Sequence, residues 1–118
     1  GDTFAYDEEA HSDKDLREKK AADRLFNLLP PNQATEFRAL WDEFEARQTA
    51  DACYAAALDR FQPLLMNFHT QGAAWLRHGV TKQQVISRNS HIAQGAPELW
   101  KYALTLIDDA VEKGYLGP

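Results

Sequence analysis

Residues 52–66 read Ala52-Cys53-Tyr54-Ala55-Ala56-Ala57-Leu58-Asp59-Arg60-Phe61-Gln62-Pro63-Leu64-Leu65-Met66. Between Asp51 and Arg77 the only Asp, Glu, Lys or Arg residues are Asp59 and Arg60. Apolar side chains fall almost all round this stretch at helical spacing, so it reads as a helix packed on several sides. A carboxylate inside such a helix has to be paired, hydrogen-bonded or bound to a metal, because burying a bare charge is costly. Asp59 is therefore a candidate site residue. The residues themselves leave two readings open: a structural acid paired with an arginine from another helix, or a functional ligand.

Working outward, Thr49 is placed to cap this third helix, which reaches roughly His69 or Thr70. Pro63 removes the bond to the Asp59 carbonyl and is expected to kink it. Upstream, Ser12 is placed as a cap, with Asp13 and Asp15 in the first turn. Leu16, Ala22, Leu25, Phe26 and Leu29 then recur at threes and fours until Pro30-Pro31 stops the first helix. A second helix carries Phe37, Leu40, Trp41 and Phe44 on one stripe and a solvated face of Glu36, Arg38, Asp42, Glu43, Glu45 and Arg47. Residues 1–11 show no clear period and read as an extended loop.

Downstream, Gln71-Gly72-Ala73-Ala74 breaks the run and Trp75-Leu76 anchors a linker. Thr81 with Gln84 forms a capping box for a fourth helix that ends at Gly95. Pro97 opens a fifth, with Leu99, Trp100, Ala103, Leu104, Ile107 and Val111 as a wide stripe and Gly114 as its stop. No strand or repeat is visible. The expected class is all-α, about five helices in a single domain over residues 1–118, with the third helix central.

The chain has 118 residues, 44% hydrophobic and 26% charged, enough for one core. A net charge of −5 argues against a nucleic-acid polymer as partner, which usually needs a basic stripe. It leaves small anionic substrates open. Cys53 is the one cysteine, so no intramolecular disulfide forms. With no signal-like or membrane-length apolar segment, this points to the cytoplasm. Gly1 is not an initiator Met; the sequence reads as starting inside a longer protein, with a leading glycine left by a tag as the alternative.

Other candidate chemistry is thin. His11, His69, His78 and His91 show no spacing of three or four that would put two ligands on one helix face. His69 is ten residues from Asp59, roughly 15 Å along a helix. Each histidine reads as a surface or capping residue, Cys53 as a small buried side chain, and Trp41, Trp75 and Trp100 as core anchors. No glycine-rich phosphate loop, serine elbow or Cys-x-x-Cys is present. An enzyme using a self-contained nucleophile and base has no visible pair to use.

Three ordered segments carry a resemblance: Gly1-Asp2-Thr3-Phe4-Ala5-Tyr6-Asp7, Leu40 to Thr49, and Ala57 to Leu64, joined by Asn89 to Gly95 and Glu98 to Ala103. Together they resemble the HD-superfamily metal-dependent phosphohydrolases, in the branch of 5'-deoxynucleotidase-like hydrolases, over nearly the whole chain. The resemblance implies an HD-type helical bundle and hydrolysis of small phosphomonoesters such as nucleoside 5'-monophosphates. It implies a divalent metal (Co²⁺, Mn²⁺ or Mg²⁺) held by a histidine, a His-Asp dipeptide and a later aspartate. Asp59 matches that last metal ligand, and Asp2 matches an active-site acid that contacts substrate or positions water.

The sequence departs from the family in holding no His-Asp dipeptide. The expectation is thus an incomplete bundle, the C-terminal two-thirds of such a domain, inactive and metal-free without the upstream ligands. Its apolar surface around Leu58, Phe61, Leu65 and Phe68 would then be left bare, which favours a homo-oligomer or association with its own N-terminal fragment. The alternative is a catalytically dead helical module used for binding or oligomerisation.

Overall fold

The computed structural model describes residues 13–118. Among them are seven helices: α1 (Lys14–Phe26), α2 (Pro31–Ala46), α3 (Ala50–His69), α4 (Ala73–His78), α5 (Lys82–Asn89), α6 (Ile92–Gly95) and α7 (Pro97–Glu112). The only extended pairing among the described residues is a single bridge between Thr81 and Gly117. The all-α class stands. The chain divides into two compact units, one ending at Ala46 and one running Arg47–Pro118.

In the first unit, α1 follows Asp13, which makes no side-chain cap bond; Ser12, the expected cap, lies outside the described residues. α1 ends at Phe26 rather than at the expected Leu29, before either proline is reached, and Pro31 opens α2, where a missing N–H costs nothing. Arg38 of α2 bonds Asp23 of α1 and Asp42 one turn on, and its guanidinium lies 5.3 Å from the Trp41 ring centre. Phe26 and Trp41 meet at 6.5 Å. The expected stripe on α2 is shallow: Trp41 is half-buried, and Phe37 and Leu40 are exposed.

In the second unit, Thr49 caps α3 as expected, its hydroxyl accepting from the Ala52 N–H at 3.1 Å. The helix runs on through Pro63, whose own carbonyl accepts from Asn67 Nδ2 at 3.0 Å. α3 packs on α4, α6 and α7, and α7 also packs on α5 and α6. The core is Ala52, Ala56, Ala57 and Leu64 of α3, Trp75, Val80, Val85, Ile92, and Ala103, Leu106, Ile107 and Ala110 of α7, closed by Leu116.

Two expected boundaries moved. The linker around Trp75 is a short helix, held between left-handed glycines at Gly72 and Gly79. The fourth expected helix is two, because the chain turns at Ser90-His91 before Ile92 enters the core. The Thr81–Gln84 capping box and Pro97 at the start of α7 are both present. The tail after α7 returns to α5: Lys82 N–H donates to the Gly117 carbonyl at 2.8 Å, and Gly117 N–H to the Val80 carbonyl at 3.1 Å. A Cβ on Gly72 would sit 2.1 Å from the Tyr115 carbonyl oxygen, so that close approach needs glycine. None of the helices described is long and apolar enough to cross a membrane.

Candidate functional site

Asp59 stands midway along α3 and is exposed. This corrects the expectation that its helix packs on several sides. The α3 core is made by the small residues Ala52, Ala56 and Ala57 and by Leu64, which let neighbouring helices approach along one face. The other face is open: Tyr54, Leu58 and Met66 are 52%, 45% and 57% exposed, while Phe61, Leu65 and Phe68 are half-buried. The burial argument for a functional Asp59 therefore falls, and the family resemblance is what remains. Asp2 lies outside the described residues.

The charged groups near Asp59 come from several elements. His91, at the start of α6, is half-buried, and burial pushes its imidazole below the ordinary histidine pKa. Arg47, Arg60 and Arg88 push it the same way, and Asp59 opposes them. Sequence reasoning put His91 among surface and capping residues. It makes no side-chain cap bond, and it feels the charges of three arginines and Asp59. The one available signal was Arg60, which shares with Asp59 an otherwise uncharged run.

Local backbone fixes part of this neighbourhood. Arg47 lies in the left-handed region at φ +49°, unusual for a residue with a Cβ. Its carbonyl accepts from Cys53 Sγ at 3.4 Å, so Cys53 is half-buried and engaged rather than a plain core filler. The Cys53 carbonyl in turn faces Gly95 of α6, where a Cβ would lie 2.1 Å away. The Nε atom of Arg88 is enclosed without a hydrogen-bond acceptor.

No group of three or more His, Cys, Asp or Glu able to hold a metal occurs among the described residues. Asp59 by itself does not fit a divalent ion, which takes roughly three or four protein donors in such sites. His69 is exposed and packs edge-on against Phe68, and His78 is exposed in the last turn of α4. An open groove of about 550 Å³ lies elsewhere, between Phe68 of α3 and Tyr102 to Glu112 of α7. Two of its carboxylates, Asp108 and Asp109, are paired with Lys82 and Lys113.

Comparison with known proteins bears on this arrangement. The family model described as HD domain matches residues 1–100. The chain is 31% identical over 115 residues to 5'-deoxynucleotidase HDDC2 of Xenopus laevis, a match covering 81% of this chain and 57% of that protein. It is 32% identical over 65 residues to the Bos taurus protein of the same name, covering 55% of this chain and 32% of the other. The crystal structure of a predicted metal-dependent phosphohydrolase from Magnetospirillum magnetotacticum MS-1 superposes with a TM-score of 0.91 at 56% identity, over 100% of this chain and 59% of the other. The chain thus spans under two thirds of the length of each of these relatives.

Proposed function

The chain belongs to the HD-domain family, and from that premise we propose that it forms the C-terminal two-thirds of a metal-dependent phosphohydrolase domain acting on small phosphomonoesters. Nucleoside 5'-monophosphates are the favoured substrates, since the curated relatives bear the name 5'-deoxynucleotidase. The observation that carries the reading is the 56% identity to a predicted metal-dependent phosphohydrolase over the whole chain. Asp59 is proposed as one ligand of a divalent cation, Co²⁺, Mn²⁺ or Mg²⁺, and Asp2 as an acid that contacts substrate or positions water. The described residues do not complete the cation's donor set, so the histidine and the His-Asp dipeptide are proposed to come from outside this sequence. The exposed face of α3 is proposed to be covered in the working protein, by a second copy or by a further segment of the same protein.

The test is phosphate release from deoxynucleoside 5'-monophosphates with added Co²⁺, Mn²⁺ or Mg²⁺, with intact mass recorded on the same sample. No release is expected from a single species of 118 residues, and release is expected from the protein encoded by the whole reading frame. Metal-dependent release by the 118-residue species would overturn the need for outside ligands. The missing ligand cluster among the described residues favours one second reading, a catalytically dead helical module used for binding or oligomerisation. A reading frame without a His-Asp dipeptide would establish it.

A further inference from the structure

We propose that α3 pairs with α3 of a second copy of this chain, antiparallel about Phe61, and that Tyr54 of each copy seats in the other's groove between Phe68 and α7. The pairing rests on the proposal that the open face of α3 is covered in the working protein, and it names the cover. The reaction itself is a separate matter.

Spacing is the first ground. Tyr54, Leu58, Phe61, Leu65 and Phe68 follow one another at four, three, four and three residues, the repeat of a helix seam that packs on another helix. Tyr54 and Leu58 are exposed and the other three are half-buried. The seam lies about 100° or more round α3 from Asp59, so a helix laid along it leaves Asp59 free. It also reads alike from both ends. Reversal about Phe61 brings Tyr54 opposite Phe68 and Leu58 opposite Leu65, ring to ring and leucine to leucine. A surface that complements its own reversed copy is what a two-fold interface needs.

The groove is the second ground. Its volume is about 550 Å³, and Phe68, Leu106 and Glu112 are among its lining residues. It opens at the Phe68 end of the seam, where the reversed pairing delivers Tyr54. A ring fits between Phe68 and Leu106, and a buried tyrosine hydroxyl needs a hydrogen-bond partner. Asp108 and Asp109 are already engaged by Lys82 and Lys113, which leaves the Glu112 carboxylate to accept from it. Charge at the ends of α3 sets the direction. Asp51 is in the first turn and His69 in the last, 18 residues apart, which is about five turns and so one edge of the helix. A parallel pair would set Asp51 against Asp51. The antiparallel pair sets it beside His69, whose ring N–H can donate to the carboxylate, and opposes the two helix dipoles.

The test is cross-linking of single introduced cysteines in a Cys53→Ser background, with a short thiol cross-linker. Gln62→Cys changes an exposed residue beside the two-fold centre and is expected to link to its own copy. Asp51→Cys stands roughly 30 Å from its own copy in the antiparallel pair and is expected to link only when mixed with His69→Cys. Self-linking at position 51, or none at position 62, overturns the pairing. Tyr54→Ala truncates an exposed ring, so the monomer stays folded. It is expected to raise the dimer Kd about tenfold or more by sedimentation; an unchanged Kd overturns the seating of Tyr54. The protein encoded by the whole reading frame is then sedimented, with phosphate release from a deoxynucleoside 5'-monophosphate read on the same sample. A dimer weakened by Tyr54→Ala is expected. A monomer that releases phosphate sinks the pairing and leaves the phosphohydrolase reading, and a Tyr54-dependent dimer without release does the reverse.

Discussion

Burial holds the His91 imidazole below its ordinary pKa of 6.5, with Arg47, Arg60 and Arg88 adding to the effect and Asp59 opposing it. The unfolded chain therefore takes up this proton more readily than the folded one. The stability tied to neutral His91 is fully present above pH 6.5 and is lost as pH falls through that value toward the lower folded pKa. The thermal midpoint of wild type relative to His91→Gln is expected to drop between about pH 7.5 and about pH 5.5. A gap that stays constant or widens in favour of wild type on acidification would show that the imidazole is not held neutral.

At the same scale, the role of Asp59 was only half legible. Its place in a charge-poor run and its match to a family aspartate could be read from the residues. Its exposure could not, because periodicity shows which faces are apolar and not which of them finds a neighbour. The alanines at 52, 56 and 57 took the close helix contacts, and the larger Tyr54, Leu58 and Met66 were left outward. The charges that bear on His91 were illegible for another reason: they are spread from residue 47 to residue 88.

Among the elements, capping signals were the most readable. Thr49, the Thr81–Gln84 box and Pro97 all sit where local hydrogen bonding requires them, independent of tertiary context. The break between α5 and α6 carries no such mark. The chain turns there because Ile92 is fully buried and Gly95 must meet the α3 backbone. That contact makes a specific prediction. In Gly95→Ala the new methyl would lie 2.1 Å from the Cys53 carbonyl oxygen, and backbone cannot give way as a flexible side chain would. The loss expected is about 1–3 kcal/mol, measured by chemical denaturation. A variant as stable as wild type would mean that α3 and α6 are less tightly joined than described.

For the whole molecule, α3 is central to its unit and yet carries an open apolar face. Tyr54, Leu58 and Met66 recur four or eight residues apart and are all exposed, with the exposed Gln62 between the last two. Faces of this kind on isolated proteins tend to be covered. Sedimentation of the purified chain is expected to show self-association that Leu58→Lys reduces. A monodisperse monomer at all concentrations would argue against covering by a second copy.

The assignment of Asp59 as a ligand of the metal of an HD-type phosphohydrolase is a proposal. Its most direct test is metal-dependent phosphate release from a deoxynucleoside 5'-monophosphate by the protein encoded in the whole reading frame, wild type beside Asp59→Ala. The substitution is expected to lower the rate by about a hundredfold or more, with folding intact because Asp59 is exposed. Activity retained in Asp59→Ala would contradict it.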